Sequence, residues 1–244
     1  MNISTARFTV FPASLALAVS LTACSGDDTA ETGGNRVTIA DTQSPYRGKT
    51  MAEWGAEWWR WAYEIPASVN PTMDETGASC GEHQTRDVFF LAGNFGGTSV
   101  RTCAIPAGKP VFFPILNAAA DNCGVPAEDQ STNEENRGFT EEMMAAVNAM
   151  SLEIDGETIG SSPSDLARFR TMPVEFSYQV PADDSLYDSW ESDFEGNCSP
   201  SYTAGYWVML DPLPPGEHTI HFAGTSGEGE AQFSLDVTYN LTVE

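Results

Sequence analysis

The run Val88-Phe-Phe-Leu-Ala92, then Thr102-Cys-Ala-Ile105-Pro-Ala-Gly-Lys109, then Val111-Phe-Phe-Pro-Ile-Leu116 decides the reading of the fold. Each apolar stretch is short, rich in β-branched and aromatic residues, and separated from the next by Gly-Gly or Pro-Ala-Gly-Lys turn chemistry, which predicts strands. The same punctuation continues outward. Leu152-Glu-Ile-Asp-Gly-Glu-Thr-Ile159 reads as a hairpin turning at Asp155-Gly156. Val174 to Val180 alternates and stops at Pro181. Tyr206 to Leu210, Thr219 to Phe222 and Ala231 to Val243 make further strands around Pro212-Leu-Pro-Pro-Gly216 and Gly224 to Gly229. Two stretches read as helix. Thr50-x-x-Glu53 is a capping box ahead of Trp54, Trp58, Trp59 and Trp61, with Pro66 as the stop. Thr140 to Met150 carries Met143, Met144, Val147 and Met150 on one side. The predicted fold class is therefore mostly β: an antiparallel β-sandwich, jelly-roll or immunoglobulin-like, with one or two helices and disulfide staples.

The N-terminus predicts an address. Arg7 is followed by an apolar stretch from Phe8 to Val19 and then Leu21-Thr22-Ala23-Cys24, the layout of a secretory signal peptide over residues 1–23. The apolar stretch is shorter than the roughly 20 residues a spanning helix needs. Leu-Thr-Ala-Cys resembles the bacterial lipobox, which implies acylation of Cys24 and anchoring in the cell envelope, at the outer membrane if the cell has one. Residues 24–40 are then a lipidated N-terminus and tether, polar and aperiodic from Ser25 to Arg36. Residues 41–244 are expected to form one β-rich globular domain.

A formal charge of −24, spread along the chain, argues against nucleic acid or anionic lipid as an electrostatic partner. With Cys24 committed to lipid, Cys80, Cys103, Cys123 and Cys198 remain, an even number in an exported chain. Of three connectivities, Cys80–Cys103 and Cys123–Cys198 are expected, because the first two flank one apparent strand pair. No Cys-x-x-Cys occurs and the spacings do not fit a zinc ribbon.

The run Trp54-x3-Trp58-Trp59-x-Trp61-Ala62, with Asn70-Pro71, Gly77-x2-Cys80, Phe90-Leu-Ala-Gly-x-Phe-Gly-Gly97, Arg101-Thr-Cys103, Ile105-Pro-Ala-Gly-Lys109 and Phe112-Phe-Pro-Ile-Leu-Asn117, resembles a family of uncharacterised bacterial secreted proteins and lipoproteins. Gly205-Tyr-Trp-Val-Met-Leu210, Pro212-Leu-Pro-Pro-Gly216 and His218-Thr-Ile-His221 are similar to its C-terminal part. The family has no settled activity, so the resemblance transfers no catalytic residue.

Chemistry-bearing constellations are sparse. Trp54, Trp58, Trp59, Trp61 and Trp190 are the candidate ligand-binding residues, since indoles stack on sugar rings and other flat ligands; Trp59 and Trp190 are expected to be the more exposed. Glu57, Asp188 and Glu191 could then bond to hydroxyls. His218 and His221 are three apart on a strand and point to opposite faces, so no metal site is assigned. Asn133-Glu134-Glu135-Asn136 and Asp183 to Glu195 offer oxygen ligands for calcium, without the EF-hand spacing. No cofactor is expected. There is no Gly-x-Ser-x-Gly elbow and no Ser-x-x-Lys run, which leaves the catalytic residues unassigned. The leading functional expectation is a non-enzymatic envelope lipoprotein that binds a glycan, another ligand or an envelope protein. The alternatives are a secreted hydrolase with a carboxylate pair near the tryptophan helix, and a structural envelope-assembly protein.

Overall fold

The computed structural model describes residues 37–192 and 194–244. The expected signal peptide, Cys24 and the expected tether up to Arg36 lie outside them. Helix α1 spans Met51–Glu64. Its N-cap, Thr50, accepts from the Glu53 amide at 3.3 Å while the Glu53 carboxylate accepts from the Thr50 amide at 2.7 Å, the reciprocal capping that the sequence predicts.

The strands are β1 (Phe89–Phe90), β2 (Gly97–Ile105), β3 (Val111–Ala120), β4 (Val147–Ile154), β5 (Glu157–Gly160), β6 (Val174–Val180), β7 (Gly196–Leu210), β8 (Gly216–Ser226) and β9 (Phe233–Val243). They form two sheets, one ordered β1-β3-β7-β6 and the other β2-β9-β8-β4-β5. The hairpin at Asp155-Gly156 is present, with both turn residues at positive φ (51° and 76°), as a tight two-residue turn requires.

Two features depart from the sequence reading. β1 pairs with β3, and β2 with β9, in parallel, so neither sheet is purely antiparallel. Helix α2 spans Asn133–Ala145 rather than Thr140 to Met150, and starts from a second capping box, Thr132 with Glu135. Val147 and Met150 belong instead to β4, where the register shifts between Val147 and Ala149. That irregularity places two inward side chains three residues apart, which imitates helical spacing. Asn133 to Asn136 thus form the first turn of α2 and not an oxygen-rich loop. A third helix, α3 (Leu186–Ser189), is a single turn.

The layering follows from which faces are apolar. The first sheet packs one face on α1, where Phe112 stacks on Trp207 (5.3 Å, 9°) and Trp58 tilts against Trp207 at 5.7 Å. Its other face meets the second sheet, with Phe113 stacked on Phe222 at 5.3 Å. Gly55 of α1 and Gly205 of β7 make room for Trp207: a Cβ at either would lie 2.6 Å from its indole ring. The disulfides are Cys80–Cys103 and Cys123–Cys198. Part of the expected tether is docked: Ala40 donates its amide to the Met209 carbonyl (2.9 Å), and Thr38 accepts from Asp211 (2.9 Å). No helix among the described residues is long and apolar enough to cross a membrane.

Candidate functional site

The aromatic residues of α1 are not an open platform. Trp54, Trp58, Trp59 and Trp61 are 5, 2, 7 and 5% exposed, whereas Trp190, just after α3, is 43% exposed. Three of the buried indoles donate to backbone carbonyls: Trp54 to Tyr46 (2.9 Å), Trp58 to Leu91 (2.9 Å) and Trp61 to Glu82 (3.0 Å). These are ordinary solutions for a buried indole N–H. Trp59 differs, because its Nε1 is buried without a hydrogen-bond partner.

Trp58 and Trp59 form one wall of a cleft of about 220 Å³. The segment after β1 (Gly93, Asn94, Phe95), the end of β3 (Asn117, Ala118, Ala119), Met143 of α2, Thr72, and Phe233 with Leu235 at the start of β9 complete it. None of these side chains is ionisable. Asn117 is the second wall residue with an unpaired donor, its Nδ2. A buried donor left without an acceptor costs about 1–3 kcal/mol, so two in one cleft wall are a feature to be explained. Sequence reasoning selected Trp58 and Trp59 but missed Asn117. Its only local signal is an amide placed directly after the apolar run Val111 to Leu116 within β3.

A buried arginine fixes the segment after β1 that contributes to the wall. Arg101, 1% exposed, donates Nη1 to the carbonyls of Ala92 (2.7 Å) and Gly93 (3.0 Å) and to the Tyr239 hydroxyl (2.8 Å), and Nε to the Asp74 carbonyl (2.7 Å). Tyr239 in turn donates to Ala92 O at 2.9 Å. Nε and Nη1 are thereby paired with oxygen acceptors on three separate segments. Burial pushes the Asp74 carboxyl up, but donors from Ser79 and Thr76, together with Arg101, outweigh it and hold the pKa below 3.8.

The rim is apolar. Phe95 and Trp190, both more than two-fifths exposed, meet edge to face at 5.4 Å. Met73, beside the lining Thr72, is also exposed, as is Phe139, one helical turn before Met143. Behind Trp59 the rings continue inward: Trp59 stacks on Tyr63 (5.0 Å), and Tyr63 stacks on Tyr178 (4.1 Å). Tyr178, Tyr187 and Ser201 all donate to Asp121, at 2.8, 3.3 and 3.1 Å. Burial, reinforced by the charge of Asp121, pushes both phenols well above 10.0, so they are neutral donors at ordinary pH. Asp121 also lies within 4.8 Å of the Cys123 and Cys198 sulfurs, but disulfide sulfurs do not act as thiolate ligands.

Three acids near the tryptophan helix, Glu57, Asp184 and Asp188, are occupied by protein donors. Glu57 pairs with Lys49 and, at 3.1 Å, with Arg60. Asp184 accepts from the Ser68 amide, and Asp188 caps α3 through Ser185. The Glu53 carboxyl is held below its usual range by the Thr50 amide and hydroxyl, the reverse of what a general acid needs. His218, buried, bonds to Asp155 (2.7 Å) and the Pro214 carbonyl (2.9 Å), while His221 bonds to Asp236 (3.1 Å); the two do not share a site. A larger depression, about 460 Å³, is lined by small residues such as Gly97, Ala149, Ser151 and Gly224 and contains no aromatic ring.

No protein-family model matches the chain, and no curated protein matches it. Among solved structures, the cysteine protease inhibitor EhICP2 from Entamoeba histolytica is similar at 13% identity and a TM-score of 0.21, over 61% of this chain and 88% of its own. Amebosin is similar at 7% identity and a TM-score of 0.16, over 59% and 96%. Scores this low transfer neither fold nor function.

Proposed function

We propose that this chain is a non-enzymatic, ligand-binding lipoprotein, anchored in the cell envelope through Cys24, whose ligand seats in the cleft between α1, α2 and the ends of β3 and β9. In this reading the two sheets form a sandwich, and the parallel β1–β3 and β2–β9 pairs set it apart from a purely antiparallel jelly roll or immunoglobulin fold. The observation that carries the reading is the conjunction of an uncharged, aromatic cleft with two unpaired donors, Trp59 Nε1 and Asn117 Nδ2, in its wall. Binding sites are commonly apolar concavities with a few polar groups that fix orientation. The exposed Phe95–Trp190 pair beside the cleft offers a first contact for an apolar ligand. A hydrolase reading has less support, because no carboxylate lines this cleft.

The test uses N-phenyl-1-naphthylamine, a neutral dye that brightens in apolar sites. The wild-type chain is expected to bind it at one site. Ala119→Trp, which fills the cleft from a half-exposed position, is expected to abolish that signal with little loss of stability. Dye binding that is absent, or indifferent to Ala119→Trp, overturns the assignment. Radiolabelled palmitate incorporation that disappears in Cys24→Ala tests the anchor separately.

A further inference from the structure

We infer that the cleft selects a neutral, flat ring compound bearing a carbonyl-type oxygen, such as an aromatic ketone, aldehyde or lactone, and rejects anions and polyhydroxylated rings. This deepens the proposed function and rests on the cleft being a binding site. Four observations lead to it.

The first is the sign of the unmet hydrogen bonding. Other polar side chains in the wall are spent internally: the Thr72 hydroxyl donates to Asn70 (2.7 Å), the Asn94 amide donates to Ser99 (2.8 Å), and the Asn94 carbonyl accepts from the Gly96 amide (3.0 Å). Trp59 Nε1 and Asn117 Nδ2 remain as buried, unpaired donors, against one side-chain acceptor, Asn117 Oδ1. The donors' complement is an acceptor, whereas a sugar ring needs several protein acceptors as well. The second is charge. No cation lines the cleft to compensate an anion, and the chain's −24 opposes its approach. The third is size: about 220 Å³ compares with the roughly 150 Å³ cavity that holds benzene, which fits one or two fused rings. The fourth is shape, since Trp58, Trp59, Phe95 and Phe233 supply aromatic walls that favour a flat partner.

Neither nitrogen has appreciable free surface, so recognition includes a small side-chain turn. Asn117 is half-buried near the end of β3, and a rotation of its amide about χ2, a soft torsion, exchanges Nδ2 with Oδ1 and turns the donor toward a ligand. A bound acceptor then satisfies a group that is otherwise unpaired. Selectivity of this kind comes from buried polar groups that only the right ligand can pair.

The experiment compares three probes of nearly equal shape by tryptophan-fluorescence titration of the full chain carrying Cys24→Ser. They are 2-acetonaphthone, its alkene counterpart 2-isopropenylnaphthalene, and the anion 2-naphthoate. The ketone is expected to bind about tenfold tighter than the alkene, the size of one good hydrogen bond, with naphthoate weakest. In Asn117→Leu the ratio of ketone to alkene affinity is expected to fall toward one. Trp59→Phe is the second variant should Asn117→Leu fold poorly, and the wild-type ranking stands without either. Equal binding of ketone and alkene, or tightest binding by naphthoate, overturns the inference and leaves the cleft a binding site. Failure of all three probes while the neutral dye binds overturns the inference alone; failure of the dye removes the cleft assignment itself.

Discussion

The two sheets solve the same packing problem in different surroundings. β3 and the second half of β7 are buried on both faces, one against α1 and the other against the second sheet. They read as unbroken apolar runs, Val111-Phe-Phe-Pro-Ile-Leu116 and Gly205-Tyr-Trp-Val-Met-Leu210. β2, β8 and β9 are buried on one face only, and they alternate residue by residue. A continuous run therefore marks a strand covered on both faces even where its pairing is antiparallel, as for β3 with β7.

The largest contrast between the sheets is expected at matched positions on them. Trp207→Ala empties the space between α1 and the first sheet and is expected to lower unfolding free energy by about 3–5 kcal/mol. Thr238→Ala, at a half-exposed position of β9, is expected to change it by less than about 0.5 kcal/mol. Urea denaturation of both variants makes the comparison, and similar losses break it.

The disulfides sharpen it next. Cys123–Cys198 ties the loop after β3 to β7 in the first sheet and closes a separation of 75 residues; Cys80–Cys103 ties a loop to β2 in the second and closes 23. Loop-closure entropy makes removal of the first cost about 4 kcal/mol and of the second about 3 kcal/mol. Paired Cys→Ala variants, followed by thermal unfolding, are expected to rank in that order. A reversed ranking means that native-state strain outweighs chain entropy.

The smallest effect is acidic. The Asp74 pKa is depressed below 3.8 in the folded protein, so its contribution is present above that value and is lost as pH falls through the folded pKa. Asp74→Asn is expected to flatten the stability profile below about pH 4 and to leave the alkaline side unchanged. An unaltered acid limb shows that the Asp74–Arg101 neighbourhood does not couple folding to protons.

Most strands and α1 are legible in the sequence because their signals are local: a capping box, turn residues, and an alternating or continuous apolar pattern. Thr132-x-x-Glu135 carries the same capping signature as Thr50-x-x-Glu53. The apolar side chains Val147 and Met150 draw the helix boundary the wrong way, because an irregularity in β4 spaces them as a helix does. The parallel pairings are not legible, since each depends on where distant segments meet. The site divides in the same way. The tryptophans announce themselves by number, whereas Asn117 matters only because β3 ends beside Trp59, and Arg101 only because β2 runs next to Tyr239.

The place of β9 in its sheet has a consequence for the order of assembly. It lies between β8 and β2, and Arg101 and Tyr239, which touch across β2 and β9, are 138 residues apart in the chain. β2 has no other strand neighbour in its sheet, so it must wait for β9 before its backbone is paired, a slow, non-local step. The cleft inherits that delay. Its wall joins Phe95, just ahead of β2, to Phe233 and Leu235, which open β9, so the wall is complete only once the middle of the chain and its C-terminal strand have met, and in the proposed reading binding waits for the same event.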